Sequence, residues 1–375
     1  MHSVLAALAL FAVVDVGDTF SSGSAWRQGA DEFAAEHFGE GFLFTSREKN
    51  ALTCLRRGSV TWLGREVWET RIAYAPEAGP RRIELSLFNH GDRKPGEYFP
   101  SDRLDRLVAD VQARYGRGAK TAPKPEKTKL GGSGFRYEVK WTKGDPAVTL
   151  TWGVDGGEVQ FVRVVLTSGR NGAAKAPSGS VAAAKAREHV RRSAEGDVWI
   201  DGVPMVDQGG KGYCAAAVGE RILRYYGHDI DEHEFAQQAG SDARGGTSVA
   251  AMIETVRGIG VKKRLAYERI VTGLGPFSRK EQAVKDPRYK KFLSGVKTQI
   301  DKGIPVCWGV TLGMFPETGL MPQTQGGHMR LIVGYNAKTR EILYSDTWGA
   351  GHELKRIPED WAFTITTDAF FLRPL

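Results

Sequence analysis

A change of hydrophobic period partway along the chain constrains its fold more than any other feature. Residues 168–180 read SGRNGAAKAPSGS and hold no large apolar side chain, which makes them a flexible join. Before the join the pattern is mostly period two. Tyr137, Val139 and Trp141 alternate with Arg136, Glu138 and Lys140, while Val148, Leu150 and Trp152 alternate with Thr149 and Thr151. Ile83, Leu85 and Leu87 repeat it. Side chains on a strand change face at every residue, so these segments predict strands with one buried and one solvated face. One helix interrupts them. Leu104, Leu107, Val108, Val111 and Tyr115 share a face, with Ser101 or Asp102 to cap the start and Gly116 at the end. Residues 26–168 are therefore expected to form a strand-rich α+β domain, with the basic stretch Lys120–Lys129 as an exposed loop.

Beyond the join, residues 181–193 are rich in Ala, Lys and Arg and predict a short solvated helix. It ends in Arg191-Arg192, a site of proteolytic nicking if exposed. Apolar positions then recur at helical spacing. Val218, Ile222 and Tyr225 lie within Tyr213–Tyr226; Val249, Met252, Ile253 and Val256 follow Thr247 or Ser248 as a cap; Tyr289, Phe292, Leu293, Val296 and Ile300 mark a third helix. Strands are expected at Pro305–Thr311, Met329–Tyr335, Glu341–Ser345 and Phe363–Thr367. Helices first and strands last make a second α+β domain, so the expected organisation is 1–25, 26–168, a linker over 169–197, and 198–375. No internal repeat is visible.

The amino-terminal run Val4–Val14, VLAALALFAVV, is too short for a membrane-spanning helix, which needs about 20 apolar residues. It has the length of a signal-peptide h-region, with Ser22-Gly23-Ser24-Ala25 as a small-residue cleavage region, although Met1, His2 and Ser3 supply no Lys or Arg. A signal peptide over residues 1–25 and a secreted or periplasmic protein are the expectation; a buried helix is the other reading of the same run. No later stretch has the length and apolarity to cross a membrane.

The 52 Lys and Arg against 44 Asp and Glu leave a net charge of +8. The basic residues are scattered and carry no RNA-recognition, zinc-finger or helix-turn-helix signature, so no specific nucleic-acid partner is expected. Nonspecific attraction to anionic cell-wall polymers or membrane surfaces is the residual meaning of the charge. Three cysteines, Cys54, Cys214 and Cys307, exclude a disulfide-stapled miniprotein, and the lack of any C-x-x-C excludes zinc ribbons, c-type haem attachment and thioredoxin-like sites. An odd count leaves at least one of them without a partner in the chain. Cys307, between Val306 and Trp308, reads as core, and a Cys54–Cys307 disulfide, which would have to join two domains, is not expected.

Cys214 is different. It follows Gln208-Gly209-Gly210-Lys211-Gly212-Tyr213 at the start of a helix, where the dipole and unpaired N–H groups favour thiolate, the nucleophilic form. The glycines allow main-chain N–H groups to approach a substrate carbonyl, and Gln208 could aim its amide at the same oxygen. A nucleophilic cysteine needs a base, and the base an orienting partner. His328 opens a strand, and Asp346 follows the second strand of a predicted hairpin, so adjacent antiparallel strands would set them side by side. Asp346 could then fix the tautomer of His328 while the other ring nitrogen faces sulfur.

Gln208-Gly209-x-x-Gly212-x-Cys214, then His328-x5-Gly334-Tyr335-Asn336, then Asp346-x-Trp348-Gly349 resembles the papain-like cysteine peptidases over residues 198–372. The aspartate at 346, where papain has asparagine, and Gly246-Thr247-Ser248 opening a helix resemble the bacteriocin-processing (double-glycine leader) branch. The resemblance implies a papain-like α+β catalytic domain and acyl transfer. It makes Cys214 the nucleophile, His328 the base, Asp346 its orienting residue and Gln208 the oxyanion donor. Gly245, Gly246, Gly212 and Trp348 would line the substrate cleft. It implies no cofactor and a peptide or protein substrate, and says nothing of residues 26–168, for which regulation of access is the expectation. Transamidation, deamidation or other acyl transfer with the same nucleophile, and a noncatalytic binding protein on a peptidase-like fold, are the competing functions. The acid- and histidine-rich run Gly227–Phe235 matches no metal signature; Asp231 and Glu234 have the spacing of a helix capping box, and no metal is expected. The loop Gly313–Gly327 leads into His328 and is expected to shape the cleft.

Overall fold

The computed structural model describes residues 13–21, 23–75, 78–130, 133–169, 183–241, 245–275, 277–317 and 325–375. Most of the Val4–Val14 run, most of the 168–180 join and the centre of the 313–327 loop lie outside them. The chain divides into two compact units, one of residues 1–89, 93–129 and 133–174, the other of 90–92, 130–132 and 175–375.

The first unit is built on eight strands in one antiparallel sheet, in the order 42–44, 51–54, 69–74, 80–89, 158–167, 147–155, 135–141, 126–129. Two meanders meet where Pro80–Asn89 pairs with Glu158–Thr167. The alternation that predicted strands is the burial pattern: Val139, Trp141, Val148, Leu150, Ile83 and Leu85 enter the core with Leu104, Leu107 and Val111 of the helix Ser101–Tyr115. Neither Ser101 nor Asp102 caps that helix. Pro100 holds the N-cap position at φ −70°, ψ 152°, which moves the start one residue earlier. Glu126–Lys129 is not a loop but the outermost strand, all four residues exposed, pairing Lys127 with Tyr137. Its charges on both faces suit an edge with one partner. Val14, Val16 and Phe20 are buried in this core, and Val14–Asp15 runs parallel to Val60–Thr61, so cleavage after Ala25 would remove core side chains.

The second unit runs β1 (Val190–Arg192), β2 (Asp197–Ile200), α1 (Cys214–Tyr225), α2 (Glu232–Ala239), α3 (Val249–Lys263), β3 (Leu265–Val271), α4 (Lys280–Ala283), α5 (Arg288–Ile300), β4 (Val306–Leu312), β5 (Gly326–Asn336), β6 (Glu341–Ser345), β7 (Lys355–Pro358), α6 (Glu359–Ile365) and β8 (Thr366–Pro374). The sheet order is β1-β2-β5-β4-β8-β3, with β6 bridging β5 and β7. α1 is the central helix: its residues from Ala215 to Leu223 are all buried, and it packs on α2, α3 and β5. Asp231 caps α2 by accepting from the Glu234 N–H at 2.8 Å, and Ser248 caps α3 by accepting from Ala251 N–H at 3.1 Å.

Two expected elements differ. The helix over 181–193 shortens to one α-turn, Ala183–Ala186, and a 3-10 turn, Arg187–His189, and Arg191-Arg192 lies in β1 instead. The free edge of β2 pairs Val190 with Ile200, and Asp201 and Asp301 attract Arg191 and Arg192. These partners are distant or across the ladder, so local composition does not reveal them. Phe363 belongs to α6, not to a strand. Pro358, Glu359 and Asp360 start that helix, and Phe363 packs against the rings of Phe277, Tyr289 and Phe292, so packing overrides the β-branched run that follows. All three cysteines are free. Cys307 is fully buried in β4, and burial pushes its thiol far up.

Candidate active site

The first residue of α1 is Cys214, half-buried, with no side chain capping the helix from Tyr213. Burial pushes its thiol up. A hydrogen bond from His328, the imidazolium charge, and the backbone N–H groups of Met329 and Ala215 outweigh that, so the thiol lies below its ordinary value. The glycine-rich loop before it is held from inside. Gly209 takes φ +66° while its N–H donates to Asp207 Oδ1 at 2.9 Å. Gly246, at φ +67°, packs so closely that a Cβ there would sit 2.8 Å from the carbonyl oxygen of Gly212. Gly212 is thus fixed near Cys214, with Gly246 against it. Gly245 lies one residue earlier in an exposed turn.

His328 enters from β5 and Asp346 stands one residue past the end of β6. The two strands pair from Leu331↔Ser345 to Asn336↔Glu341, which brings the two residues together at the open end of the hairpin. His328 Nε2 lies 2.6 Å from Asp346 Oδ1, leaving Nδ1 for the thiol. Burial lowers the proton affinity of His328, but the Asp346 carboxylate and the Cys214 sulfur raise it further, to about 9. Burial raises Asp346 in turn, and the charges of His328 and Arg330 with the Thr347 N–H overcome this and hold it well below the usual carboxylate range. Each charge is stabilised by its neighbour. The indole of Trp348 stacks on the imidazole, centroids 4.6 Å apart and planes 24° from parallel.

Gln208 is buried behind the loop. Its backbone N–H donates to the Thr347 carbonyl at 2.9 Å, its Oε1 accepts from the Thr347 hydroxyl at 2.5 Å, and its Nε2 donates to the Lys211 carbonyl at 2.7 Å. An anchored Oε1 allows the amide one orientation, with Nε2 turned toward the Cys214 loop. The structure therefore gathers Cys214, His328, Asp346, Gln208, Gly212, Gly246 and Trp348 from four separate segments.

Sequence reasoning missed four residues around them. Thr347, fully buried, ties Gln208 to Asp346, because its N–H also donates to Asp346 Oδ1 at 2.9 Å. Arg221, on α1 two turns beyond Cys214 and so on the same face, donates to the Asp346 carbonyl at 2.8 Å, Ser345 Oγ at 2.6 Å and the Pro204 carbonyl at 2.7 Å. That locks the helix bearing Cys214 to the hairpin. Arg330 and Glu317 complete the set from the far side of Asp346. A signal existed for Arg330: it is a charge within an otherwise apolar strand, two residues from His328 and so on the same face.

Residues 200–365 match the Peptidase_C39 like family. The second half of the chain is a cysteine-type peptidase. A solved structure titled as xylellain, a cysteine protease from Xylella fastidiosa, is similar at 12% identity over 51% of this chain and 88% of its own. Its TM-score of 0.33 makes that likeness too loose to assign a fold or an activity. No curated protein matches the chain. Among the described residues, no helix of the peptidase is long and apolar enough to cross a membrane.

Proposed function

We propose that this peptidase hydrolyses peptide bonds with a papain-like Cys214–His328–Asp346 triad. The observation that carries the reading is the His328–Asp346 contact at 2.6 Å, set beside a thiol whose proton His328 already draws away. In the resting site Cys214 is thiolate and His328 imidazolium. The thiolate attacks the scissile carbonyl carbon, and the oxyanion is met by the Cys214 N–H and the free N–H of Gln208 Nε2. His328 gives its Nδ1 proton to the leaving amine, the C–N bond breaks, and a thioester joins the acyl group to sulfur. Water then loses a proton to His328 and attacks the thioester, releasing the acid and restoring the ion pair. Asp346 accepts from Nε2–H throughout and keeps the tautomer.

Gly212, Gly245, Gly246 and Trp348 form the wall against which we place the substrate backbone. The double-glycine leader branch remains the finer family reading, supported by Asp346 and by Ser248 as the cap of α3.

Transamidation or deamidation would share the thioester, so the products decide. Incubating a peptide library with the wild type and with Cys214→Ala, and following cleaved peptides, ammonia and incorporated amine together, is expected to show Cys214-dependent cleavage alone. Ammonia release or amine incorporation without cleavage would replace hydrolysis of peptides by the alternative. No Cys214-dependent product in any channel would favour a binding protein.

The role of Thr347 gives a separate expectation. Thr347→Val keeps the shape and removes the hydroxyl that holds Gln208 Oε1. The rate constant kcat should fall about tenfold, from a misdirected oxyanion donor, with KM little changed. Thr347→Ser should recover most of it. Steady-state kinetics on one cleaved peptide check this, and a rise in KM alone would refute it.

A further inference from the structure

The side of Asp346 turned away from His328 is as fully built as the side facing it. Asp346 Oδ2 accepts from Arg330 Nε at 2.8 Å. The two terminal nitrogens of Arg330 donate to Glu317, Nη1 to Oε1 at 2.9 Å and Nη2 to Oε2 at 2.8 Å. The Tyr344 hydroxyl donates to Glu317 Oε2 at 3.0 Å. Arg330 and Asp346 are both 0% exposed and Glu317 is 6% exposed. Five groups of alternating sign therefore run in line: Glu317, Arg330, Asp346, His328 and Cys214. A buried ion pair repays its desolvation poorly as a source of stability, whereas a planar guanidinium bound at all three nitrogens fixes the plane of what it holds.

We propose that Arg330, braced by Glu317, is a positioning residue for the His328–Asp346 pair, holding the plane of the Asp346 carboxylate and setting how strongly it keeps the proton on His328. The proposal rests on the thiol-peptidase reading above. Its physical content is a sign. The positive charge of Arg330 offsets part of the field that Asp346 exerts at His328, and Glu317 offsets part of the field of Arg330. Neutralising Glu317 alone should free Arg330 to oppose the His328 proton. Neutralising both should leave Asp346 acting on His328 unopposed, since Arg330 is the nearer of the two. The other groups around the line stay constant between variants. They are Lys355, whose Nζ lies 4.0 Å from Glu317; Tyr344 on Glu317; Arg221 on the Asp346 backbone; His352, whose ring meets Trp348; and Glu353, which accepts from Gly351 N–H.

The test is a histidine NMR titration of His328 in the full chain, its signal assigned by loss in His328→Ala. The Cys214→Ala background removes coupling to the thiol. Glu317→Gln is expected to lower the His328 midpoint by about half a unit, and Arg330→Gln with Glu317→Gln to raise it by a similar amount. Arg330→Lys, which keeps the charge and loses the fork, should leave the midpoint in place. With Cys214 restored, it should lower kcat severalfold at unchanged KM. Midpoints that stay within about 0.2 unit of the parent in all variants, or that move the same way in Glu317→Gln and the double variant, would overturn the proposal. If the double variant does not fold, an unmoved midpoint in Glu317→Gln is enough to overturn it. Peptide cleavage that survives Cys214→Ala would instead overturn the underlying peptidase reading, a result independent of these midpoints.

Discussion

Cys214→Ala is expected to lower peptide hydrolysis by about 10⁴-fold or more while the protein still folds. Without sulfur no thioester forms, and the oxyanion donors and the imidazole can only assist water, which preserves a small part of catalysis. His328→Ala should fall nearly as far, and the double variant little further, because the two act as one unit. Stability should change by only about 1 kcal/mol in Cys214→Ala, since the side chain is half-buried and its loss also removes a partly desolvated charge. Hydrolysis rates beside a thermal melt check both halves. Cleavage by Cys214→Ala at more than about 1% of the wild-type rate would end the assignment.

The second large effect is expected from Asp346→Asn. The carboxylate accepts from His328 on one oxygen and from Arg330 on the other. An amide turned to accept from one presents its NH₂ to the other, so either the tautomer of His328 or the partner of Arg330 is lost. A fall of about 10²- to 10⁴-fold in kcat is expected, with the upper end reached if the imidazole takes the wrong tautomer. The alkaline limb of the rate profile should also move down. His328 holds its proton to about 9 because burial is overcome chiefly by the Asp346 charge, and without that charge the imidazole loses its proton at lower pH. An alkaline limb that stays in place would show that Asp346 does not control the proton on His328.

The same shifts fix a sign for stability. The raised His328 contributes stability that is complete below the ordinary histidine value near 6.5 and is lost as pH rises toward 9. The depressed Asp346 contributes stability that is complete above the ordinary value near 3.8 and is lost as pH falls through its native one. Between about pH 4 and 6.5 both contributions are complete. In Asp346→Asn both should shrink, which flattens the pH dependence of unfolding above about pH 6.5 and below about pH 4.

Much of the candidate site was legible because each of its blocks carries its own short-range pattern. A cysteine at a helix start after glycines, a histidine at the head of a strand and an aspartate just past the end of the next strand are each written in a few consecutive residues. The hairpin between His328 and Asp346 follows from two apolar runs, Met329–Tyr335 and Glu341–Ser345, separated by a short polar stretch. What supports them was hidden for the opposite reason. Glu317 meets Arg330 from before the strand that carries it, Arg221 reaches Ser345 and Asp346 from another element, and Thr347 meets Gln208 across most of the second unit's sequence. No short-range pattern encodes such pairs.

The elements followed the same division. Strong period-two runs and long amphipathic helices formed where their spacing required, since each side chain's face is set by backbone geometry. The segments that changed state, Glu126–Lys129, Val190–Arg192 and Glu359–Ile365, are short, and their state was decided by unpaired strand edges and an aromatic cluster. By itself the sequence determined where period-two runs give way to helical spacing, the helix that presents Cys214 and which residues are candidates for thiol chemistry. Only the tertiary structure decided the contacts of Arg330 and Arg221 with Asp346, the single orientation of the Gln208 amide and the closeness of Gly246 to Gly212. Each of those depends on buried polar groups finding partners far along the chain, and that pairing is settled by packing rather than by local preference.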